Sequence, residues 1–121
     1  MSNGQAIWRS GKDSVWIGTS YSDFLTFPAT AKRDAGYQLH RVQNDLPPEN
    51  WKIISELGAG VCELRLREDT GIFRVMYVAK FDEAIYVLHC FKKKKQKITR
   101  PDKEVTSARY KAVCRYRRGP E

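Results

Sequence analysis

Long apolar runs are missing from this chain. No stretch approaches the ~18–20 residues that a membrane-spanning helix needs. The first residues lack the basic start and apolar stretch of a signal peptide. A cytoplasmic protein with no membrane partner is therefore expected. Metal ligands are scarce too. The two histidines, His40 and His89, and the three cysteines, Cys62, Cys90 and Cys114, share no C-x-x-C or comparable spacing. This argues against structural zinc and a disulfide framework, and for free thiols in a reducing compartment. Paired carboxylates, a glycine-rich phosphate loop and a Ser-His-Asp set are likewise not found, which removes the parts of several hydrolytic mechanisms. No cofactor and no metal are expected.

What the chain has in excess is positive charge. Lys and Arg number 22 against 14 acids, a net +8 in 121 residues. From Lys92 to Arg118 there are 12 basic residues opposed only by Asp102 and Glu104, a local +10 that leaves the other residues at −2. A concentrated field of this kind attracts polyanions, nucleic acid first among them. With 41% hydrophobic residues and a length fit for one core, a single domain over 1–121 is expected, its core at about 14–115. Residues 1–13 read as loose, with at most a short edge strand through Ala6–Arg9.

The run Ser14-Val-Trp-Ile-Gly18 reads as a first strand. A short helix is expected over Asp23–Phe27, capped by Ser20 or Ser22. Pro28 stops it and opens a second helix. Along that helix Ala31, Ala35, Leu39, Val42 and Leu46 form an apolar stripe, with Lys32, Arg33, His40 and Arg41 off it. Leu46-Pro-Pro-Glu-Asn50 starts a loop that includes Trp51. Val61–Arg67 alternates: Cys62, Leu64 and Leu66 take one face, Glu63, Arg65 and Arg67 the other. Ile72–Phe81 and Ala84–Phe91 are rich in β-branched and aromatic residues. Asp69-Thr-Gly71 and Asp82-Glu83 supply the turns. Thr99–Arg118 reads as a helix, with Val105, Ala108 and Ala112 on its buried side. The expected class is α+β: an antiparallel sheet with a three-strand meander, two N-terminal helices packed on one face, and a C-terminal helix.

In such a meander Arg65, Arg67, Arg74 and Lys80 gather on a sheet face left open to solvent. Phe73, Val75, Tyr77 and Phe81 turn inwards. His89 precedes five lysines, Lys92, Lys93, Lys94, Lys95 and Lys97. The chemistry that fits is metal-free RNA cleavage. A base takes the 2′-hydroxyl proton, cations stabilise the phosphate transition state, and an acid protonates the leaving 5′-oxygen. Charged faces are also ordinary solvent-side surfaces, so the residues alone leave open a basic domain that binds nucleic acid without cutting it.

Three segments carry a family resemblance: Gly58-Ala-Gly-Val-Cys-Glu-Leu-Arg-Leu-Arg67, Phe73-Arg-Val-Met-Tyr-Val78, and Val87-Leu-His-Cys-Phe-Lys-Lys-Lys-Lys-Gln-Lys97. Together they resemble the RelE/ParE toxin superfamily, in its phage-derived Gp49-like, HigB-type branch. The last segment is similar to that branch's ending, leucine-histidine-x-phenylalanine-x-lysine-lysine-threonine-x-lysine-threonine. It departs from the pattern at Lys95 and Ile98, which stand where the threonines do. The resemblance spans roughly Val15 to Val113.

It implies the toxin of a type II toxin–antitoxin system, an mRNA interferase that cuts messenger RNA on the ribosome. Its partners would be a cognate antitoxin, often of helix-turn-helix type, mRNA and ribosomal RNA. In related toxins, basic residues on the strands corresponding to Val61–Arg67 and Ile72–Phe81 bind and activate the RNA backbone. By that resemblance Arg67 and Arg74 are catalytic candidates; the superfamily changes its base and acid between branches, so His89 as the base and Lys93 as a phosphate contact or acid are read from their place at the head of the lysine run. Arg65, Lys80, Lys92, Lys94, Lys95 and Lys97 are the expected RNA-binding residues. A ParE-like inhibitor of DNA gyrase on the same fold is the alternative.

Overall fold

The structure is a computed structural model that describes residues 12–93 and 97–119. Any strand through Ala6–Arg9 lies outside them. The element order is β1 (Asp13–Trp16), α1 (Ser20–Leu25), α2 (Ala29–Gln43), β2 (Trp51–Ile53), a 3-10 turn (Ser55–Leu57), β3 (Val61–Glu68), β4 (Gly71–Val78), β5 (Ala84–Lys92) and α3 (Arg100–Arg118). The five strands form one sheet in the order β1-β5-β4-β3-β2. The β3–β4–β5 meander and the β2–β3 pair are antiparallel, and β1 joins β5 in parallel. Among the described residues β1 and the short β2 are the two edges of the sheet.

The sheet divides two cores. On one face the α2 stripe of Ala31, Ala35, Leu39 and Val42 meets Leu64, Leu66, Phe73, Val75, Tyr77, Ile85 and Val87. Full burial of each such Leu, Val or Phe is worth roughly 1.5–3 kcal/mol, so the stripe fixes which face the helix takes. Leu46 falls beyond the helix and is exposed. Pro28 serves as the N-cap of α2 rather than its first residue. The first helix begins earlier than expected, at Ser20 after Thr19, and ends at Leu25.

The opposite face was expected to be open. Instead α3 crosses it, and a second core forms from Ile54, Leu57, Val61, Met76, Val78, Tyr86, Leu88 and Val113. Its buried side is also rotated from the expected one. Thr106 and Val113 are buried, with Tyr110 packed on the same core, while Ala108 and Ala112 face solvent. Alanines mark a helix face weakly, and here the large side chains decide it. Thr99 caps the helix, accepting a hydrogen bond from the Asp102 backbone N–H.

A bulge shapes the site. The β4–β5 register shifts between Met76 and Tyr77, so Tyr77 pairs with Val87 but Met76 pairs with His89. Leu88 is the extra residue. Strict alternation from Ile85 and Val87 would send His89 into the α2-side core; the bulge turns it towards α3. Arg109 on α3 donates from Nη1 to the Leu88 carbonyl at 2.9 Å, satisfying the backbone where the ladder is irregular.

Candidate nucleic-acid interface

Direct pairing places Arg65 opposite Arg74, and Arg74 opposite Phe91. One step along, Glu63 lies opposite Met76, and Met76 opposite His89. One step the other way, Arg67 lies opposite Ile72, whose carbonyl accepts the Lys93 backbone N–H at 2.7 Å. Directly opposed residues share a face, so Arg65, Arg67, Arg74, His89 and Lys93 all belong to the α3 side of the sheet.

Two arginines clustered this closely repel unless something holds them. Glu63 does so: it is 0% exposed, its Oε2 accepts from Arg74 Nη1, and its Oε1 accepts from Arg65 Nε at 2.9 Å. Arg74 is 2% exposed, and its Nε has no hydrogen-bond partner among the described residues. Arg65 is partly exposed and Arg67 is exposed. The arrangement presents a graded cationic surface, from a fixed buried guanidinium to a solvent-facing one. Lys93 stands at its rim. Partial desolvation, and then the charges of Arg74 and Arg65, hold its ammonium below the usual lysine range.

His89 is largely buried, stacked 4.9 Å from the Phe91 ring. Its Nε2 lies 2.8 Å from Oδ1 of Asp102, whose Oδ2 accepts from the Thr99 hydroxyl. Nδ1 is buried without a hydrogen-bond partner among the described residues. The imidazole therefore ties β5 to the first turn of α3. The carboxylate is the more solvent-exposed half of the pair, at 21% against 11% for the ring.

Beside this group a pocket of about 300 Å³ opens, lined by Lys52, Ile54, Glu56, Arg74, Lys97, Ile98 and Lys103. Four of its seven lining residues are basic. Lys103 Nζ donates to Glu56 Oε2 at 3.2 Å. A larger groove of about 520 Å³ lies at the far end of α3, between Val15, Ile17, Tyr86, Val113 and Tyr116. Its walls are mostly apolar, its charged residues are the acids Asp13 and Glu83, and none of the cationic cluster is among them, so it is not the place for phosphate chemistry.

The expected residues divide accordingly. Arg65, Arg67, Arg74 and Lys93 come together, and Lys97 joins them through the small pocket. Lys80 does not: two residues beyond the end of β4, it donates to the Tyr110 hydroxyl at 3.0 Å and lies over the Phe81 and Tyr110 rings. Lys92 takes the opposite face, over Phe73. Lys94 and Lys95 lie outside the described residues. Tyr77 is core, as its alternation predicts, and burial beside Cys62 pushes its phenol up.

Sequence reasoning missed Glu63, Asp102, Lys52, Glu56 and Lys103. Thr99-x-x-Asp102 carried a usable signal as a helix cap. Glu63 read as an ordinary solvent-side residue, and nothing in its spacing marks the ion triad. Part of the C-terminal charge is also engaged locally: Arg117 with Glu83 and with the Phe81 ring, Arg100 with Glu104, Lys103 with Glu56.

Among the described residues no group of three or more His, Cys, Asp and Glu is placed to hold a metal ion, and no helix is long and apolar enough to cross a membrane. A search of curated proteins returns no match. Residues 22–111 match the family described as Phage derived protein Gp49-like (DUF891). The match covers α1 through most of α3, and with it every element that builds the cationic site. A family of toxins implies an antitoxin as partner. The chain belongs to the Gp49-like family, a RelE/ParE-like toxin family.

Proposed function

We propose that this protein is a ribosome-dependent mRNA endonuclease, acting in the cytoplasm and held in check by its antitoxin. The observation that carries the reading is the Glu63-anchored pair of Arg74 and Arg65, with Lys93 at its rim. A gyrase blocker or a passive binder has no use for a buried, pre-oriented guanidinium beside a lysine of lowered pKa. Strand cleavage uses both.

In the proposed reaction Arg74 and Arg65 grip the scissile phosphate, and Arg67 and Lys97 hold the flanking backbone. The 2′-hydroxyl oxygen attacks phosphorus as its proton passes to the Asp102–His89 pair, entering at the more exposed carboxylate. The P–O5′ bond breaks, and Lys93 supplies the proton to the departing 5′-oxygen. The products are a 2′,3′-cyclic phosphate and a 5′-hydroxyl, with no net proton gained or lost. Affinity for the polyanion falls steeply with salt, because each phosphate contact releases counterions.

The test is controlled expression in bacteria of wild type, Lys93→Ala, Asp102→Asn and His89→Ala, with mRNA 5′ ends mapped genome-wide. New ends inside translated regions, lost in Lys93→Ala and Asp102→Asn, support the assignment. Full cleavage in His89→Ala alone would make that ring an anchor of α3 and leave the carboxylate as the acceptor. Growth arrest with intact mRNA and a DNA-damage response would overturn the reading in favour of gyrase.

A further inference from the structure

Consecutive residues of a regular strand face opposite sides, yet Leu88 packs in the α3-side core and His89 reaches Asp102 on that same side. The carbonyls at this irregularity are taken by groups from outside the β3–β4–β5 meander. That of Val87 accepts from the Ile17 backbone N–H at 3.0 Å and from the Ser20 hydroxyl at 3.2 Å. That of Leu88 accepts from Arg109 Nη1 at 2.9 Å. Arg109 Nη2 donates at 2.9 Å to the Thr19 hydroxyl, which in turn donates to Asp23 Oδ2. We propose that Arg109 is a positioning residue: its forked guanidinium clamps the bulge against the turn at 17–20 and so aims His89 at Asp102. This rests on the endonuclease reading above and adds to it the residue that sets its proton-accepting pair.

Helix geometry brings the two contacts together. Asp102 and Arg109 are seven residues apart, about two turns, so α3 presents both to β5. One takes the His89 ring, and the other takes the carbonyl of the residue before it. The turn is shaped to receive the guanidinium. Gly18 has φ +57°, and a Cβ there would stand 2.8 Å from Arg109 Nε. A side chain at that position would push the fork off its acceptors. A lysine carries the same charge, but its single nitrogen lacks the planar fork that meets two acceptors from fixed directions. Arg109 reaches the turn after β1, whereas Arg65 and Arg67 stand on β3, beyond β5 and β4 in the sheet. It therefore serves the site through Leu88 and His89, not by gripping phosphate.

Purified Arg109→Ala, Arg109→Lys and Thr19→Val are compared with wild type at a temperature where thermal melts show each to be folded. The first readout needs no substrate: the side-chain nitrogen NMR resonances of His89, which report which ring nitrogen carries the proton and whether it is hydrogen-bonded. They should move in all three variants, least in Thr19→Val, where Arg109 keeps its bond to Leu88. The second readout is the kinetics of cutting ribosome-bound message. Misplacing a reacting group by about 1 Å costs on the order of 100-fold, so Arg109→Ala should lower kcat by roughly that factor with KM little changed. Arg109→Lys keeps the charge and should still lose much of kcat. If Arg109→Ala does not fold, Arg109→Lys and Thr19→Val carry the test. Unmoved His89 resonances in the folded variants, or full kcat in Arg109→Lys, would overturn the clamp. Cleavage by wild type alongside unmoved resonances leaves the endonuclease standing. Displaced resonances with a wild type that cuts no message keep the clamp and remove the endonuclease.

Discussion

Replacing Glu63 with glutamine keeps the size of the side chain and removes its charge. The change strikes where Arg74 is least able to respond: residue Glu63 is 0% and residue Arg74 2% exposed. Breaking a buried ion pair from one side typically costs 3–5 kcal/mol, because the remaining charge loses its partner without regaining water. Glutamine retains one acceptor oxygen, and Arg65 is exposed enough to find solvent, so about 3 kcal/mol is expected. For a domain of this length that is roughly a 12 °C fall in Tm. Urea denaturation of Glu63→Gln against wild type measures it. Replacing the pair together, as Glu63→Leu with Arg74→Met, should recover most of the stability while abolishing cleavage. That double variant separates the architectural role of the triad from its chemistry. A cost under 1 kcal/mol for Glu63→Gln would show that the triad is solvated, and the argument for a pre-oriented Arg74 would fail.

Three further outcomes follow from the same coordinates. Gly58 has φ +152°, and a Cβ there would meet the Tyr110 ring at 2.5 Å; Gly58→Ala should cost about 1–3 kcal/mol in a thermal melt. A Tm equal to wild type would mean that the 3-10 turn and α3 are not in contact there. Because Lys93 is held below the usual lysine range, the protonated donor is lost earlier than usual as pH rises. Cleavage should decline on the alkaline side, and Lys93→Arg should lower the rate while removing that limb. An identical alkaline limb in the variant would assign the proton to another group. Glu83, hydrogen-bonded by Arg117, titrates at about 2. Its depressed pKa means the stabilisation is complete above the ordinary carboxylate range and fades as pH falls towards 2. Glu83→Gln should flatten that part of the Tm-against-pH curve, and a curve parallel to wild type would show the pair to be without effect.

The fold was legible wherever the pattern was long. The α2 stripe and the alternation in β3 each repeat enough times for one face to stand out. The three residues of β2 are too few to show a period, and all three are exposed, so Trp51 read as part of a loop. The rotation of α3 escaped because its alanines matched a stripe that Val113 and Tyr110 do not follow. The site was half legible. Arg65, Arg67 and Arg74 follow from alternation along two paired strands. Lys80 fits the same alternation, but β4 ends at Val78 and the chain beyond it takes Lys80 to Tyr110, away from Arg74. His89 reached the α3 side only through the bulge at Leu88, which no count of alternating residues reveals. Its partner Asp102 comes from a helix thirteen residues on, and Glu63 is buried by pairing with charges that its neighbours in sequence only hint at.

The most direct test is cleavage of a defined mRNA by purified protein, with and without translating ribosomes, reading both the position and the chemistry of the ends. Cuts only on ribosome-bound message are expected, leaving 2′,3′-cyclic phosphate and 5′-hydroxyl termini, and lost in the variant Arg67→Ala with Lys93→Ala. Intact mRNA, or 5′-phosphate termini at unchanged rates in that variant, would contradict it.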